Sequence, residues 1–162
     1  MSYRRRYPKR QSTRQRYQVE NIIKTLDPGD YVDTTATTAF TYQGIDDVVP
    51  ALASNFPRKV AHITLHFDQI ATDFQWALIY VPAGYTPNLL GITTDAPNLY
   101  NPNQFLMATG YVNASGSGGQ VNFRVMQKRI LNSGDNIRLI VGFRSATTFA
   151  TTYAARYAIC AL

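Results

Sequence analysis

Apolar and polar residues alternate along most of the chain after position 17. Over 60–68, Ala61, Ile63, Leu65 and Phe67 fall on one side, with His62, Thr64, His66 and Asp68 on the other. A period of two is the signature of a half-buried β-strand. Residues 121–125 repeat it, with Val121, Phe123 and Val125 inward and Asn122 and Arg124 outward. So do 136–144, where Ile137, Leu139, Val141 and Phe143 oppose Asn136, Arg138, Gly142 and Arg144. Near the end, Tyr153, Tyr157 and Ile159 alternate with Ala154, Arg156 and Ala158. The run FQWALIYV over 74–81 is apolar on both faces apart from Gln75, which predicts a central strand covered on two sides. Segments near 18–25, 31–42 and 103–113 bring the total to about eight strands. Residues 45–53 read as one short helix.

Turn chemistry separates these runs. Asp27-Pro28-Gly29-Asp30 and Asn132-Ser133-Gly134-Asp135 have the composition of tight turns, and Ser115-Gly116-Ser117-Gly118-Gly119 that of a loop between two strands. Residues 82–102, rich in Pro, Asn and Thr, read as an exposed excursion. Short strands with long polar loops and no alternating helices predict an all-β antiparallel sandwich or jelly roll rather than a parallel sheet.

The chain has 162 residues, enough for one domain and an appendage. A body of about 145 residues buries roughly 70% of its unfolded surface. The longest apolar run, Trp76–Ala83, is far short of the ~20 residues that cross a bilayer, so no membrane insertion is expected. The basic start runs into Gln11-Ser12-Thr13-Arg14, which reads against a secretory signal. A single cysteine, Cys160, excludes an intrachain disulfide framework and a Cys-rich zinc module.

Charge then divides the chain in two. The net charge is +6, yet residues 1–16 carry seven bases (Arg4, Arg5, Arg6, Lys9, Arg10, Arg14 and Arg16) and no acid, while the rest holds nine bases and ten acids. Seven like charges with little apolar surface cannot offset the entropy of ordering, so residues 1–17 are predicted to be a disordered arm and 18–162 the folded body. Arginine forks fit phosphate, and each neutralised phosphate releases counterions. Tyr3, Tyr7 and Tyr17, interleaved with the bases, are suited to stack on unpaired nucleobases. The arm therefore reads as a binder of single-stranded nucleic acid. A solubilising tail or a nuclear import signal is the plainer alternative.

No catalytic or metal site emerges, and no cofactor is expected. His62 and His66 lie roughly 13 Å apart on a strand at about 3.3 Å per residue, too far to share an ion. Cys160 sits in an Ala-rich strand as a small buried thiol, there is no Gly-x-Ser-x-Gly elbow, and the 115–119 loop lacks the Lys-Ser/Thr of a phosphate loop. Asp46 and Asp47, adjacent on an extended chain, point to different sides. A second basic set is more suggestive. Arg124 and Lys128 share a polar face if their strand stays regular, with Arg129 at its end and Arg138 and Arg144 on the next strand. Were those strands paired, their outward face would be a basic patch, meeting either nucleic acid or acids on a neighbouring subunit.

Several segments are similar to a known family. The basic start MSYRRRYPKR precedes an all-β body. Gln75-Trp76-Ala77-Leu78-Ile79-Tyr80-Val81-Pro82 is followed by Gly84 and Pro87, then by Leu99-Tyr100-Asn101-Pro102-Asn103-Gln104 and Ala108-Thr109-Gly110. Arg129-Ile130-Leu131-Asn132-Ser133-Gly134-Asp135 completes the set. The chain thereby resembles the capsid proteins of small viruses with circular single-stranded DNA genomes, the circovirus- and nanovirus-like group. The resemblance implies an eight-stranded jelly roll forming a closed icosahedral (T=1) shell of about sixty subunits, a homo-oligomer with arms inside on single-stranded DNA. It implies location in the virion, and in the host nucleus during assembly. It also makes the matched segments structural rather than catalytic. The chain is shorter than that pattern and its arm less arginine-dense, so sixty arms supply roughly 420 positive charges. Two alternatives stand beside it: a satellite-virus coat that packages RNA, and a non-viral single-strand-binding β-barrel with a basic tail.

Overall fold

The computed structural model describes residues 16–25, 32–33, 42–53, 56–70, 72–85, 91–93, 96–98, 105–115, 119–143 and 151–162. Of the expected arm, only Arg16 and Tyr17 fall within them. The turn at 27–30, Arg144, and the segment 99–104 lie outside the described residues.

Two antiparallel sheets account for nearly all of the described chain, which contains no α-helix. In sheet one, β1 (Gln18–Thr25) pairs with β12 (Thr152–Ala161), and β12 pairs with β4 (Arg58–Asp68). The far side of β4 carries both β9 (Gln120–Val125) and β10 (Arg129–Leu131). Sheet two runs β2 (Val32–Asp33), β3 (Tyr42–Val49), β11 (Asn136–Phe143), β5 (Phe74–Val81) and β8 (Leu106–Val112). A small hairpin, β6 (Gly91–Thr93) with β7 (Ala96–Asn98), lies within the expected excursion. The chain is an all-β sandwich, as the alternation predicted.

Aromatic rings join the two layers. Phe67 of β4 meets Phe74 of β5 edge-on at 5.1 Å and Phe123 of β9 at 6.1 Å, while Trp76 lies 4.8 Å from Phe123 and Phe74 lies 5.3 Å from Phe143. Each such pair adds about 0.5–1.5 kcal/mol beyond the burial of its area. Trp76 seats its indole over Gly110, its direct partner on β8, where a Cβ would come within 2.7 Å of Nε1. β5 is an interior strand with Ala77 buried on its second face, in line with its two-sided apolar pattern.

Three details depart from the sequence reading. Residues 45–49 are strand, not helix: β3 pairs with β11 through Val49, and Pro50, which has no N–H to donate, follows it. Of the expected strand near 31–42, Val32, Asp33 and Tyr42 are described and all three lie in strands; 31 and 34–41 lie outside the described residues. Strand β4 changes phase in the middle. His62 has φ +54°, and beyond it Val60 rather than Ala61 joins the core beside Ile63, Leu65 and Phe67, although Ala61 is also buried. Asn136, read as outward, is buried at the start of β11.

The turn at 132–135 is built as its composition predicted, with Asp135 N–H donating to the Asn132 carbonyl at 3.2 Å and Gly134 at φ +82°. A side chain at Gly134 would meet Ala83 Cβ at 2.8 Å. The buried Asp135 carboxylate accepts from Asn132 N–H (2.8 Å), Tyr80 OH (2.8 Å) and Ala83 N–H (2.9 Å), tying this turn to the end of β5. The two segments form a clamp.

Candidate nucleic-acid interface

Register places one row of side chains across the outer face of sheet one. Asn21 of β1 pairs with Arg156 of β12, Arg156 with Thr64 of β4, and Thr64 with Arg124 of β9. The core-facing partners in the neighbouring row, Ile22, Ala155 and Phe123, pack inward, so strand alternation sends Arg156, Thr64 and Arg124 to the opposite face. The row two residues along brings Ala154, His66 and Asn122 together, and His66 Nδ1 donates to Asn122 Oδ1 at 2.7 Å. His62, Thr64, Arg124 and Arg156 line an open depression of about 350 Å³ bordered by Val19 and Tyr157.

The bulge that shifts β4 also shapes this face. Val125 pairs with Ile63 and Arg129 with Val60, so three residues, 126–128, stand against two, Ala61 and His62. Such a mismatch bends a strand and re-aims its side chains. The exposed His62 ring meets Tyr17 edge-on at 6.2 Å. Exposed Arg16 and Tyr17 immediately precede β1, so the chain enters the body on this side.

The interruption separates residues that sequence reading had placed together. Arg124 points outward, and exposed Lys128 sits in the link between β9 and β10. Arg129 shares the phase of the core residue Leu131, and its guanidinium carbon lies 5.5 Å from the Tyr80 ring centroid. The strand is therefore not regular, and Arg129 does not extend the face of Arg124. The condition for a patch shared by 121–125 and 136–144 is not met, because β9 and β11 belong to different sheets. Arg138 instead donates to Asp47 at 2.7 Å on sheet two. Its neighbour Asp46 turns the other way and accepts from Lys24 of β1 at 3.1 Å, so the adjacent carboxylates do point apart. Tyr3, Arg4, Arg5, Arg6, Tyr7, Lys9, Arg10 and Arg14 lie outside the described residues.

Around the clamp, electrostatics follow from burial. Burial pushes the Asp135 carboxyl up, but the hydrogen bonds from Asn132, Tyr80 and Ala83 outweigh it and hold it below its usual range. Burial, reinforced by the bond to Asp135, pushes the Tyr80 phenol up to about 12. Burial lowers Arg58, opposed by the fields of Tyr157 and Asp135; its guanidinium donates to the Pro50 and Asp135 carbonyls. Together these bonds tie the 132–135 turn to the end of β5 and to the start of β4. Among the described residues, no group of three or more His, Cys, Asp or Glu side chains is placed to hold a metal ion.

Sequence reading missed Arg156 as a site residue, along with Thr64 and the Tyr17–His62 contact. The signal for Arg156 was present, since it is the one cation on the polar side of the Tyr153/Tyr157 alternation. No protein-family model matches the chain, and no curated protein is significantly similar to it.

Proposed function

We propose that the chain is a capsid protein of the small circular single-stranded DNA virus type: a β-sandwich that assembles into a T=1 shell of about sixty copies and packages single-stranded DNA through its Arg-rich N-terminal segment. Its role is structural rather than catalytic. The observation that carries this reading is the entry point of the basic segment. Tyr17 contacts His62 on the outer face of sheet one, which also carries Arg124 and Arg156. On sheet two, by contrast, Arg138 is paired with Asp47. One face of the body thus continues the charge of the segment that enters it.

Strand order supports the jelly-roll form of the sandwich. With β9 and β10 counted as one strand and the short β2, β6 and β7 set aside, the order is first, eighth, third, sixth in one sheet. In the other it is second, seventh, fourth, fifth. Self-association is supported by exposed apolar residues at one end of the sandwich. Leu52, Phe56 (70% exposed) and Leu162 border, with Ile159, a groove of about 670 Å³. The virion, with passage through the host nucleus during assembly, is the location this reading entails.

Electron microscopy of the purified full-length protein, with nuclease digestion of any cargo, tests the proposal. Uniform particles near 20 nm holding DNase-sensitive material are expected, an order-of-magnitude size for about sixty such subunits. A monodisperse monomer at every salt and protein concentration would refute it. RNase-sensitive cargo would instead assign the protein to the RNA-packaging coats.

A further inference from the structure

The outer face of sheet one holds two arginines for which no carboxylate partner is found among the described residues. Arg156 and Arg124 flank Thr64 in a single cross-strand row. With β4 between them, their backbones stand about 9.6 Å apart, two strand spacings. Long side chains at that separation can fold inward over Thr64 and present two guanidinium forks to one small anion. The acid in β4 on this face, Asp68, is four residues along, roughly 13 Å from Thr64. Glu20 leaves the face altogether, since it is in phase with the core-packed Ile22 and accepts from Gln18 at 2.6 Å.

A second observation lies beside the pair. His62 adopts a left-handed φ of +54° within a strand, a conformation costly for a residue with a side chain and concentrated at functional sites. Its consequence here is that the ring faces outward against Tyr17. The His62 ring, with Tyr17 against it, therefore stands at the rim of a depression whose floor is cationic and whose volume, about 350 Å³, is of the size that takes one small ligand.

We infer that this face is a nucleotide subsite built into the folded body: Arg124 and Arg156 hold one phosphodiester of a single strand over the Thr64 hydroxyl, and Tyr17 and His62 receive its unpaired base. A doubly charged grip suits the planar fork of arginine on phosphate. A ring platform accepts any base and requires it to be unstacked, which selects single strands over duplex. The inference rests on the nucleic-acid part of the proposed function. It adds that the body, not only the basic segment, contacts the cargo at a defined place.

The test uses the full-length chain and a 5′-labelled dT20 oligonucleotide, with anisotropy titrations at several salt concentrations and ultraviolet crosslinking mapped by peptide mass. The double variant Arg124→Gln/Arg156→Gln should reduce the slope of log affinity against log salt by about 0.7, from the loss of one phosphate contact, and abolish the Tyr17 crosslink. A variant with Arg4, Arg5 and Arg6 changed to Gln should reduce the slope by about 2.1 yet keep that crosslink. Thr64→Val should weaken binding several-fold with the slope unchanged. Should the double variant leave slope and crosslink as they were while the Arg4/Arg5/Arg6 variant lowers the slope, the subsite is wrong and the nucleic-acid reading stands. If neither variant alters the slope, both fail. An equal Tyr17 crosslink yield with duplex DNA would overturn the base-stacking half. Both arginines are exposed, and an unchanged Trp76 emission spectrum certifies the fold of each variant.

Discussion

Gly110→Ala probes the packing that joins β5 to β8. An added Cβ would sit 2.7 Å from Trp76 Nε1 and 2.9 Å from both Cε2 and Cζ2. Carbon contacts are comfortable from about 3.5 Å, so the indole or the strand must give way by ~0.8 Å. Trp76 is 1% exposed and backed by Phe123 at 4.8 Å and Phe67 at 6.2 Å, which leaves the ring nowhere to retreat. Overpacking of this kind costs about 2–3 kcal/mol, the upper part of the usual range. Alanine returns about 0.5–1 kcal/mol by restricting the unfolded chain, so the net loss should be about 1–2 kcal/mol. For a chain of this length that lowers Tm by roughly 2–8 °C. Guanidinium unfolding followed by far-ultraviolet circular dichroism reads the change with Trp76 present or replaced. On a Trp76→Phe background the clashing atoms are gone, and Gly110→Ala should become neutral or slightly stabilising. An equal loss on both backgrounds would refute the account, because the two residues would then not be coupled.

Other consequences concern the clamp and the paired cation. Asp135→Asn keeps the shape but sets an NH2 against N–H or O–H donors, and should cost about 2–3 kcal/mol in chemical denaturation. Because the folded carboxyl lies below its unfolded value, its contribution is complete above pH ~4 and lost as pH falls through the folded value. The variant should therefore show a flatter acid limb in stability measured against pH. Tyr80 has the opposite sign: its folded phenol titrates near 12, so its stabilisation is full below about pH 10 and lost as pH rises from there toward 12. Tyr80→Phe should cost about 1 kcal/mol at neutral pH and remove that alkaline loss. Arg138→Ala breaks a partly exposed ion pair, so it should change stability by less than about 1 kcal/mol and leave nucleic-acid retention as it was.

Alternation told the faces of strands far better than their neighbours. The inward and outward sets of β9 and of β4 from Ile63 to Asp68 were legible because each has one buried face and an unbroken period of two. Nothing in those patterns says which strand lies beside which, so whether Arg138 neighbours Arg124 stayed open, and the sandwich puts them on different sheets. A single left-handed residue was equally hidden. His62 is an ordinary polar position by pattern, yet its φ exchanges Ala61 for Val60 in the core and breaks the strand opposite into β9 and β10. Strand β3 ends in Asp-Asp-Val-Val before a proline, and so brief an apolar window fits helix or strand alike; the ladder to β11 decides it. The candidate interface was half legible for the same reason. Its charge was visible in Arg124, but its geometry depends on a partner across β4 that only register supplies.

In the shell proposed above, charge and chain geometry together choose which face of the body looks inward. Every base of residues 1–16 lies within fifteen residues of Arg16, and a fully extended chain covers at most about 50 Å over that distance. A compact body of this size is roughly 40 Å across, so a path over its surface from one face to the opposite one is on the order of 60 Å. Bases joined at the Tyr17–His62 contact therefore reach cargo lying against sheet one easily, and cargo beyond sheet two barely or not at all. The body's own charges select the same side, since Arg124 and Arg156 are on sheet one and Arg138 is paired on sheet two. Sheet one should thus face inward. Intact particles treated with an arginine-specific reagent should leave Arg124 and Arg156 unmodified until the particles are dissociated, and labelling of both at equal rates before and after dissociation would reverse the orientation.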